Sequence, residues 1–252
     1  MIDNHLLERL PDFVAVNVRP RLKPLDFIQG DVVARAQAPI DRLIFPRSGL
    51  VSIVVELDGS HQIETGIVGR RGALGGAAIF GVEHHLNAAV AQASGRAWTL
   101  DIAEATELAS TSPEFHRAIL LQEQYLLAQA RQFAACNAKH LVEQRLCSWL
   151  ARLHDEVGDG ELPLTQETLA KMLGVQRASV SLLASQLQED GLISYRRGRI
   201  NLLDPEGLQH RACSCYRALE DQRDDLFASK SHNKIAVDKR SADGATEGPP
   251  PN

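Results

Sequence analysis

Long apolar runs are missing from this sequence. No stretch approaches the ~18 consecutive apolar residues that a membrane span requires, and residues 1–9 lack the basic segment and apolar run of a signal peptide. Cysteines are equally scarce, with four among 252 residues, which is too few for the disulfide framework of a secreted protein. We therefore expect a cytoplasmic protein with reduced thiols and no membrane partner.

The overall charge gives no sign of a nucleic-acid partner either. The net charge is −5, and an acidic protein repels phosphate unless its basic residues cluster locally. Such a cluster lies between Lys171 and Arg199, where basic residues exceed acidic ones by three. The remaining composition, with 44% hydrophobic and 23% charged residues, is that of a globular chain, and its length suits two domains.

The first domain is predicted to be rich in β-structure. From about Leu22 to Asp101, short β-favouring segments alternate with Gly, Pro and Asp turns at roughly ten-residue spacing, a pattern typical of a small antiparallel barrel or sandwich. Asp58-Gly59 between two alternating runs is the clearest hairpin signal. We assign residues 1–112 to an effector-sensing β-roll.

A long helix is predicted to follow, over residues 113–137. It opens with Pro113 at its first turn, and an apolar stripe at spacings of three and four predicts packing against the same helix of a second copy. A second stripe, Leu120, Leu121 and Leu127, is predicted to lie on the β-domain; a single buried helix of a monomer is the alternative. The first stripe comprises Phe115, Ile119, Gln122, Leu126, Ala130, Phe133 and Asn137.

The C-terminal domain is predicted to span residues 138–224. Its first helix is expected from about Ala138 to Val157, ending near Gly158. After about Asp224 the composition turns to Lys, Ser, Asp, Gly and Pro, so residues 225–252 are predicted to form a disordered tail. The fold class is therefore α+β, with the β-roll, the long helix and this domain in order.

Two short helices joined by a tight turn are predicted inside the C-terminal domain. Thr165 is a plausible N-cap for a helix ending near Leu173, and Gly174 supplies the turn. A second helix then runs from Gln176 or Arg177 to about Asp190. The spacing of Ala170, Gly174, Val180 and Leu183 is typical of a helix-turn-helix. The following segment, Leu192–Leu203, is predicted to form a β-hairpin with a basic tip, the wing of a winged helix-turn-helix.

This geometry predicts which side chains reach double-stranded DNA. At the start of the second helix, Arg177 suits a bidentate contact to guanine and Gln176 a contact to adenine or phosphate, with Ser179 and Ser181 able to serve either role. Phosphate contacts are predicted for four basic residues: Lys171, Arg196, Arg197 and Arg199. An ordinary helical hairpin with solvated charges is the alternative interpretation.

The segment Leu162–Val180, followed by Gly191-Leu192-Ile193, resembles the DNA-binding domain of the catabolite-activator/fumarate-nitrate-regulator (Crp/Fnr) family. The resemblance covers about residues 20–220. It implies a cyclic-nucleotide-binding-like β-roll (jelly roll), a homodimerising helix, and a winged helix-turn-helix that recruits or blocks RNA polymerase. The family's early arginine in the recognition helix falls on Arg177, whereas Ala178 and Leu182 stand where some members carry charged residues.

The effector region departs further from that pattern. Members that bind cyclic AMP hold it with a carboxylate and a guanidinium, and the matching segments here, Gly75–Ile79 and Leu86–Ala88, carry neither. Burying a phosphate without a charge partner is costly, so cyclic AMP is disfavoured and the effector is unknown. Gly75, Gly76 and Asn87 are the candidate effector-binding residues.

Other ligand chemistry has weaker support. Glycines between 66 and 76 could expose backbone N–H groups to an anion beside Arg70 and Arg71, although turns of a β-roll explain them as well. The pair His84-His85 could ligate haem or a metal, but adjacent loop histidines are usually solvated. Cys213-x-Cys215 lacks a second pair for zinc, and no N-terminal cysteine cluster exists for an iron–sulfur centre. No metal or cofactor is predicted.

Two other functions compete with DNA binding. One is a ligand-sensing signalling module whose C-terminal helices contact a protein partner. The other is an enzyme, which the sequence does not support because it lacks the phosphate-gripping Gly-Lys-Ser/Thr loop, the Gly-x-Ser-x-Gly elbow and the His-Glu-x-x-His motif.

Overall fold

The N-terminal part of the chain is a β-roll preceded by short helices. The computed structural model describes residues 2–57, 61–158 and 162–228. Helices α1 (His5–Glu8) and α2 (Asp12–Val18) and a 3-10 turn (Arg19–Arg21) pack against the strands. The strands are β1 (Lys23–Phe27), β2 (Val32–Ala34), β3 (Arg42–Pro46), β4 (Leu50–Leu57), β5 (His61–Val68), β6 (Ala88–Ala93) and β7 (Gly95–Asp101).

These strands form two antiparallel sheets, in the orders β1-β7-β3 and β2-β6-β4-β5. Burial alternates along β6, as expected when one face of a sheet meets the core. Leu43, Phe45, Val51 and Leu100 are buried completely. The predicted β-roll is confirmed; the Asp58-Gly59 turn lies outside the described residues, although β4 and β5 pair in antiparallel register on either side of it.

A pair of helices leads out of the β-roll. Helix α3 (Ile102–Thr111) is capped by Asp101, and α4 (Pro113–Lys139) by Ser112, whose side chain accepts from the Phe115 N–H. Helix α4 has Pro113 in its first turn and ends two residues beyond the predicted boundary. None of the described helices is long and apolar enough to cross a membrane.

The predicted orientation of α4 is wrong. Phe115, Ile119 and Phe133, which the spacing assigns to a partner helix, are buried within their own chain. The stripe expected on the β-domain instead contains Leu120 and Leu127, each 40% exposed. The reason is that the inward face also carries amide side chains that hydrogen-bond to the β-roll: Gln122 donates to the Ala73 carbonyl, 3.3 Å away.

The C-terminal domain begins after a break in the helix at His140 and Leu141. Its first helix therefore starts at residue 142 and not near Ala138 as predicted. The elements are α5 (Val142–Val157), α6 (Gln166–Leu173), α7 (Arg177–Glu189), β8 (Ile193–Arg196), β9 (Arg199–Leu202), α8 (Pro205–Arg211) and α9 (Cys215–Phe227).

The predicted start of the tail at residue 225 is too early. Helix α9 continues to Phe227, which packs beside Leu219 and lies 5.4 Å from the guanidinium of Arg9. Aromatic burial against α4 and the N-terminal segment therefore extends the ordered chain past Asp224. The remainder of the predicted tail, residues 229–252, lies outside the described residues.

The C-terminal domain rests on the four-stranded sheet of the β-roll. Leu50 and Ile67 of the β-roll share one apolar cluster with Leu150 of α5. Inside this contact, Trp149 Nε1 donates to Glu64 Oε1 over 2.6 Å, and Ser52 donates to the other carboxylate oxygen. Burial raises the pKa of Glu64 to about 7, although both hydrogen bonds oppose that shift.

Arg71 forms a second, charged contact between the domains. Its guanidinium Nε lies 2.8 Å from Glu156 of α5, and Nη1 lies 2.7 Å from Glu220 of α9. Asp155 is 3.9 Å from the same guanidinium. The side chains of Arg71 and Glu156 are 15% and 5% exposed, so the three carboxylates depend on this cation for compensation of their charge.

Replacing Arg71 with methionine should destabilise the protein by about 3–5 kcal/mol, because Glu156 would remain buried without a counter-charge. The measurement is the guanidinium chloride midpoint of unfolding. Arg21→Met is the matched control, since its pair with Glu107 is more exposed and should contribute at most about 1 kcal/mol. Equal midpoints for the two variants would show that Arg71 does not hold the domains together.

Candidate nucleic-acid interface and effector pocket

The two helices α6 and α7 form a helix-turn-helix. Thr165 caps α6 by accepting from the Thr168 N–H at 3.0 Å, as predicted. Gly174 ends α6 with a φ of 63°, a left-handed conformation that glycine adopts without strain. Ala170 and Val180 are buried in one apolar cluster, and the partly buried Leu183 packs against it, so the small and apolar positions of the motif meet in the predicted way.

The N-terminal turn of α7 projects into solvent. Gln176, Arg177, Ala178 and Ser179 are all exposed, and Gln176 occupies the N-cap position without a side-chain capping bond. Four consecutive exposed positions, including a guanidinium and an amide, therefore lie at the end of the helix that enters the major groove in helix-turn-helix proteins. Ser181 differs, because its hydroxyl donates to Gln166 Oε1 over 2.5 Å and so joins α7 to α6.

The basic wing is present as a tight hairpin. Strands β8 and β9 pair from Ile193 with Leu202 to Arg196 with Arg199. Arg197 and Gly198 form the two-residue turn with φ of 51° and 74°, and two positive φ values are what a type I′ hairpin requires. The hairpin therefore presents Arg196, Arg197 and Arg199 at its tip, all three exposed.

The wing tip lies beside the start of α6. A Cβ placed on Gly198 would be 3.4 Å from the Thr165 methyl group. The unpaired N–H groups in the first turn of α6 therefore lie next to the wing arginines, an arrangement that favours phosphate. Lys171, at the other end of α6, is exposed and lies 3.8 Å from Glu167.

Sequence reasoning missed a residue that supports this motif from outside it. Arg145 of α5 donates from Nη2 to the carbonyl of Leu173, immediately before the turn. It thereby satisfies a carbonyl at the end of α6. No local pattern could have indicated this contact, because the two residues are 28 positions apart.

A cavity of about 310 Å³ lies between the β-roll and α4. It gathers two of the candidate effector residues, Gly75 and Asn87, whereas Gly76 is not among its lining residues. Both His84 and His85 border it, together with Glu123 of α4. No lysine or arginine occurs among the described residues that line it.

Glu123 occupies the donors that an anion would use in this cavity. The backbone N–H groups of Gly76 and Ala77 donate to its carboxylate. A Cβ on Gly76 would lie 2.5 Å from Glu123 Oε1, so glycine is required here for the close approach. Burial raises the pKa of Glu123 to about 7, against the effect of the two backbone hydrogen bonds.

The glycine-rich loop does not offer Arg71 to an anionic ligand. Arg71 is bound by three carboxylates of the C-terminal domain, so the hypothesis that places it beside a bound anion is wrong. Cβ atoms on Gly69 and Gly72 would lie 2.7 Å from Glu156 and 2.8 Å from Gln122. These glycines therefore allow the helices to approach the loop closely.

The interpretation of the late cysteines also needs correction. The sequence predicts that Cys213 and Cys215 lack further ligands, but the fold places Cys136 and His140 beside them. Potential ligand atoms of the four residues all lie within 4.8 Å of one another. Sequence reasoning missed this group because its halves come from helix ends that are more than 70 positions apart.

Comparison with known proteins agrees with the helix-turn-helix. The model of the Crp-like helix-turn-helix domain matches residues 144–211. The HTH-type transcriptional regulator Cmr of Mycobacterium tuberculosis (strain CDC 1551 / Oshkosh) is 40% identical over 60 residues, 24% of this chain. That match spans 25% of the length of Cmr, so it concerns one domain and not the whole relative.

Solved structures resemble a larger part of the chain. FixK2 from Bradyrhizobium japonicum superposes with a TM-score of 0.66 at 14% identity, over 76% of this chain and 98% of its own. TTHA1359, a CRP/FNR family transcriptional regulator from Thermus thermophilus, gives a TM-score of 0.59 at 26% identity, over 75% and 98%. The order of β-roll, long helix and C-terminal domain is thus shared.

A β-roll, a long helix and a winged helix-turn-helix follow one another in this chain, and TTHA1359, described as a CRP/FNR family transcriptional regulator, shares this arrangement. Residues 144–211 therefore carry a Crp-like helix-turn-helix domain, and over a larger part of the chain the fold is similar to that of CRP/FNR regulators.

Proposed function

We propose that this protein regulates transcription by binding a two-fold symmetric DNA site as a homodimer. The observation that supports this most strongly is the exposure of Gln176–Ser179 at the start of α7, beside a wing whose tip carries three arginines. A locally basic surface on an acidic protein is the electrostatic arrangement that DNA binding requires.

Within this proposal the exposed side chains divide into two groups. Arg177 contacts guanine, while Gln176 and Ser179 contact neighbouring bases or phosphate. Ser181 contributes less to base recognition, because its hydroxyl already donates to Gln166. Four basic side chains contact phosphates and set the register of the protein on the duplex: Lys171, Arg196, Arg197 and Arg199.

We propose that the two copies of the dimer meet along the exposed face of α4. Leu120, Gln124, Leu127, Arg131 and Ala134 recur at spacings of four and three and are all exposed, which is the repeat of a coiled-coil seam. Two copies packed along this face relate their α7 helices by a two-fold axis, so the half-sites lie about one helical turn apart. We propose that the bound dimer recruits or blocks RNA polymerase.

The effector, if one binds in the 310 Å³ cavity, is neither cyclic AMP nor another compact anion in this proposal. The donors that would hold a phosphate are engaged by Glu123, and the described lining supplies no lysine or arginine. A phosphate there would be desolvated beside a carboxyl group, which is costly. The mixture of apolar side chains with histidine and asparagine suits a neutral ligand.

Replacing Arg177 with alanine should weaken binding to a selected DNA site by roughly 1–3 kcal/mol and relax specificity at one base position. Arg197→Ala should weaken all sequences alike and lower the salt slope by about 1. The measurement is fluorescence anisotropy with selected and scrambled duplexes over a range of salt concentrations.

Arg19→Ala provides the matched control for both variants, because Arg19 is exposed and lies in the 3-10 turn before β1, outside the helix-turn-helix and the wing. Unchanged affinity and specificity in Arg177→Ala would contradict the recognition assignment. Failure of the parent protein to retain any duplex in a salt-dependent way would favour a signalling module that acts through protein partners.

Replacing both Leu120 and Leu127 with glutamate should raise the dimer dissociation constant by at least about 100-fold, because apolar contact is lost and like charges face each other across the seam. Sedimentation velocity measures this change. Val16→Glu is the control, since Val16 is 62% exposed on α2. A double variant as dimeric as the parent would place the interface elsewhere.

Adding cyclic AMP to the purified protein should give no binding heat in isothermal titration calorimetry, because Glu123 holds the backbone donors and no guanidinium occurs among the described residues of the cavity wall. Thermal unfolding should be unchanged by the nucleotide for the same reason. A dissociation constant of about 10 μM or tighter would refute this account of the pocket.

A further inference from the structure

Four metal-ligating side chains meet where the long helix ends. Cys136 lies in the last turn of α4 and His140 caps it, while Cys213 and Cys215 lie at the start of α9. The three cysteines form a buried cluster of their own. We propose that Cys136, His140, Cys213 and Cys215 bind one zinc ion in tetrahedral coordination.

The distances match a single ion. Cys136 Sγ and Cys213 Sγ are 3.4 Å apart, and Cys215 Sγ is 3.4 Å from His140 Nδ1. With Zn–S bonds of about 2.3 Å and Zn–N bonds of about 2.0 Å, tetrahedral ligand atoms lie about 3.5–3.8 Å apart. The four donor atoms, all within 4.8 Å of one another, need only small side-chain adjustments to reach this geometry.

The backbone holds both halves of the site in place. Cys136 and His140 are one turn apart, so their side chains lie on the same face of α4, and the His140 N–H donates to the Cys136 carbonyl at 3.0 Å. Cys213 is fixed by its own N–H, which donates to Gln144 at 3.3 Å, and by its carbonyl, which accepts from Tyr216 at 3.1 Å. Three thiols and one imidazole are a common donor set of structural zinc sites.

The surroundings also suit a thiolate-bound cation. Gln132 Nε2 donates to Cys215 Sγ at 2.9 Å, the kind of outer contact that orients a metal ligand. A zinc ion with three thiolates carries one net negative charge. Arg152, which is 6% exposed and whose Nε has no partner among the described residues, lines a small cavity with Cys136 and Glu64, so its positive charge lies near both the thiolates and this carboxyl group.

Two other uses of these cysteines explain less of the geometry. A disulfide between Cys136 and Cys213 would leave His140 and Cys215 without a role. An iron–sulfur cluster contains several metal atoms, so its ligand sulfurs are spread more widely than those of a single ion. One divalent ion uses all four donors. Its binding involves no oxidation, because each ligating thiol releases its proton to water as the metal–sulfur bond forms.

The site would connect the two sides of the helix break. His140 and Leu141 separate α4 from α5, and Leu141 is 71% exposed. Zinc bound by α4 and α9 would restrain the angle at this break, independently of whether the protein binds DNA. The proposal therefore stands or falls separately from the proposed function.

The experiment uses the full-length protein purified under reducing conditions. We expect one zinc per chain by inductively coupled plasma mass spectrometry. After removal of the metal with a chelator, titration with Co²⁺ should saturate at one ion per chain. It should give the intense visible bands of tetrahedral cobalt together with thiolate-to-cobalt charge-transfer absorption.

Variants locate the ion. Cys136→Ser and Cys215→Ser should abolish stoichiometric binding, whereas Gln132→Ala should weaken it about 10-fold to 100-fold with the same spectrum. Cys147→Ala is the matched control, because Cys147 is also buried but lies outside the cluster. Limited proteolysis at Leu141 should accelerate when the metal is removed, and circular dichroism verifies that each variant folds.

The cobalt titration of the parent protein decides the question without depending on any variant. A chain that binds no Co²⁺, or gives only the weak bands of octahedral cobalt, overturns the proposal. Isolation of a metal-free chain with a Cys136–Cys213 disulfide, or of iron with acid-labile sulfide, does so as well. Unchanged proteolysis after metal removal overturns the restraint at the helix break.

Discussion

The hydrogen bonds between Gln129 and Ile67 determine how the long helix lies on the β-roll. Gln129 Oε1 accepts from the Ile67 N–H at 2.9 Å, and Nε2 donates to the Ile67 carbonyl at 3.1 Å. Strand β5 is an edge strand, so these backbone groups have no neighbouring strand and need another partner. Because an amide side chain supplies both bonds, α4 covers the sheet edge, directs Glu123 into the cavity and leaves Leu120 and Leu127 exposed.

The distance along the chain between interacting residues decides which parts of the structure could be predicted from the sequence. The helix-turn-helix and its wing were predictable because their determinants, such as the Thr165 cap and Gly174, act within a few residues. The face of α4 was not, since Gln122 and Phe133 fit a dimer stripe as well as an intramolecular one. The partner that decides between them, Ile67, is 62 positions from Gln129 in the chain, and no periodicity records such a contact.

The loop from Gly69 to Gly76 shows a second limit of sequence reasoning. Its glycines fit either an anion site or close packing, and only the positions of Glu156, Gln122 and Glu123 distinguish the two. The loop packs against Glu123, which lines the cavity, and against Glu156 of the C-terminal domain. It therefore contacts both the cavity wall and that domain. A ligand that displaced Glu123 would disturb the same segment that carries Arg71, which binds carboxylates of α5 and α9.

Helix α9 is the element on which the domain arrangement converges. Its Glu220 binds Arg71, its Arg223 lies 4.8 Å from the ring of Tyr125 on α4, and its first residue belongs to the cysteine cluster. Each contact joins α9 to an element on the other side of the break at His140 and Leu141. The angle between α4 and the helix-turn-helix is therefore restrained by residues that lie outside α7 and the wing. In the proposed dimer, that angle sets the separation of the two α7 helices, so these contacts would influence the half-site spacing.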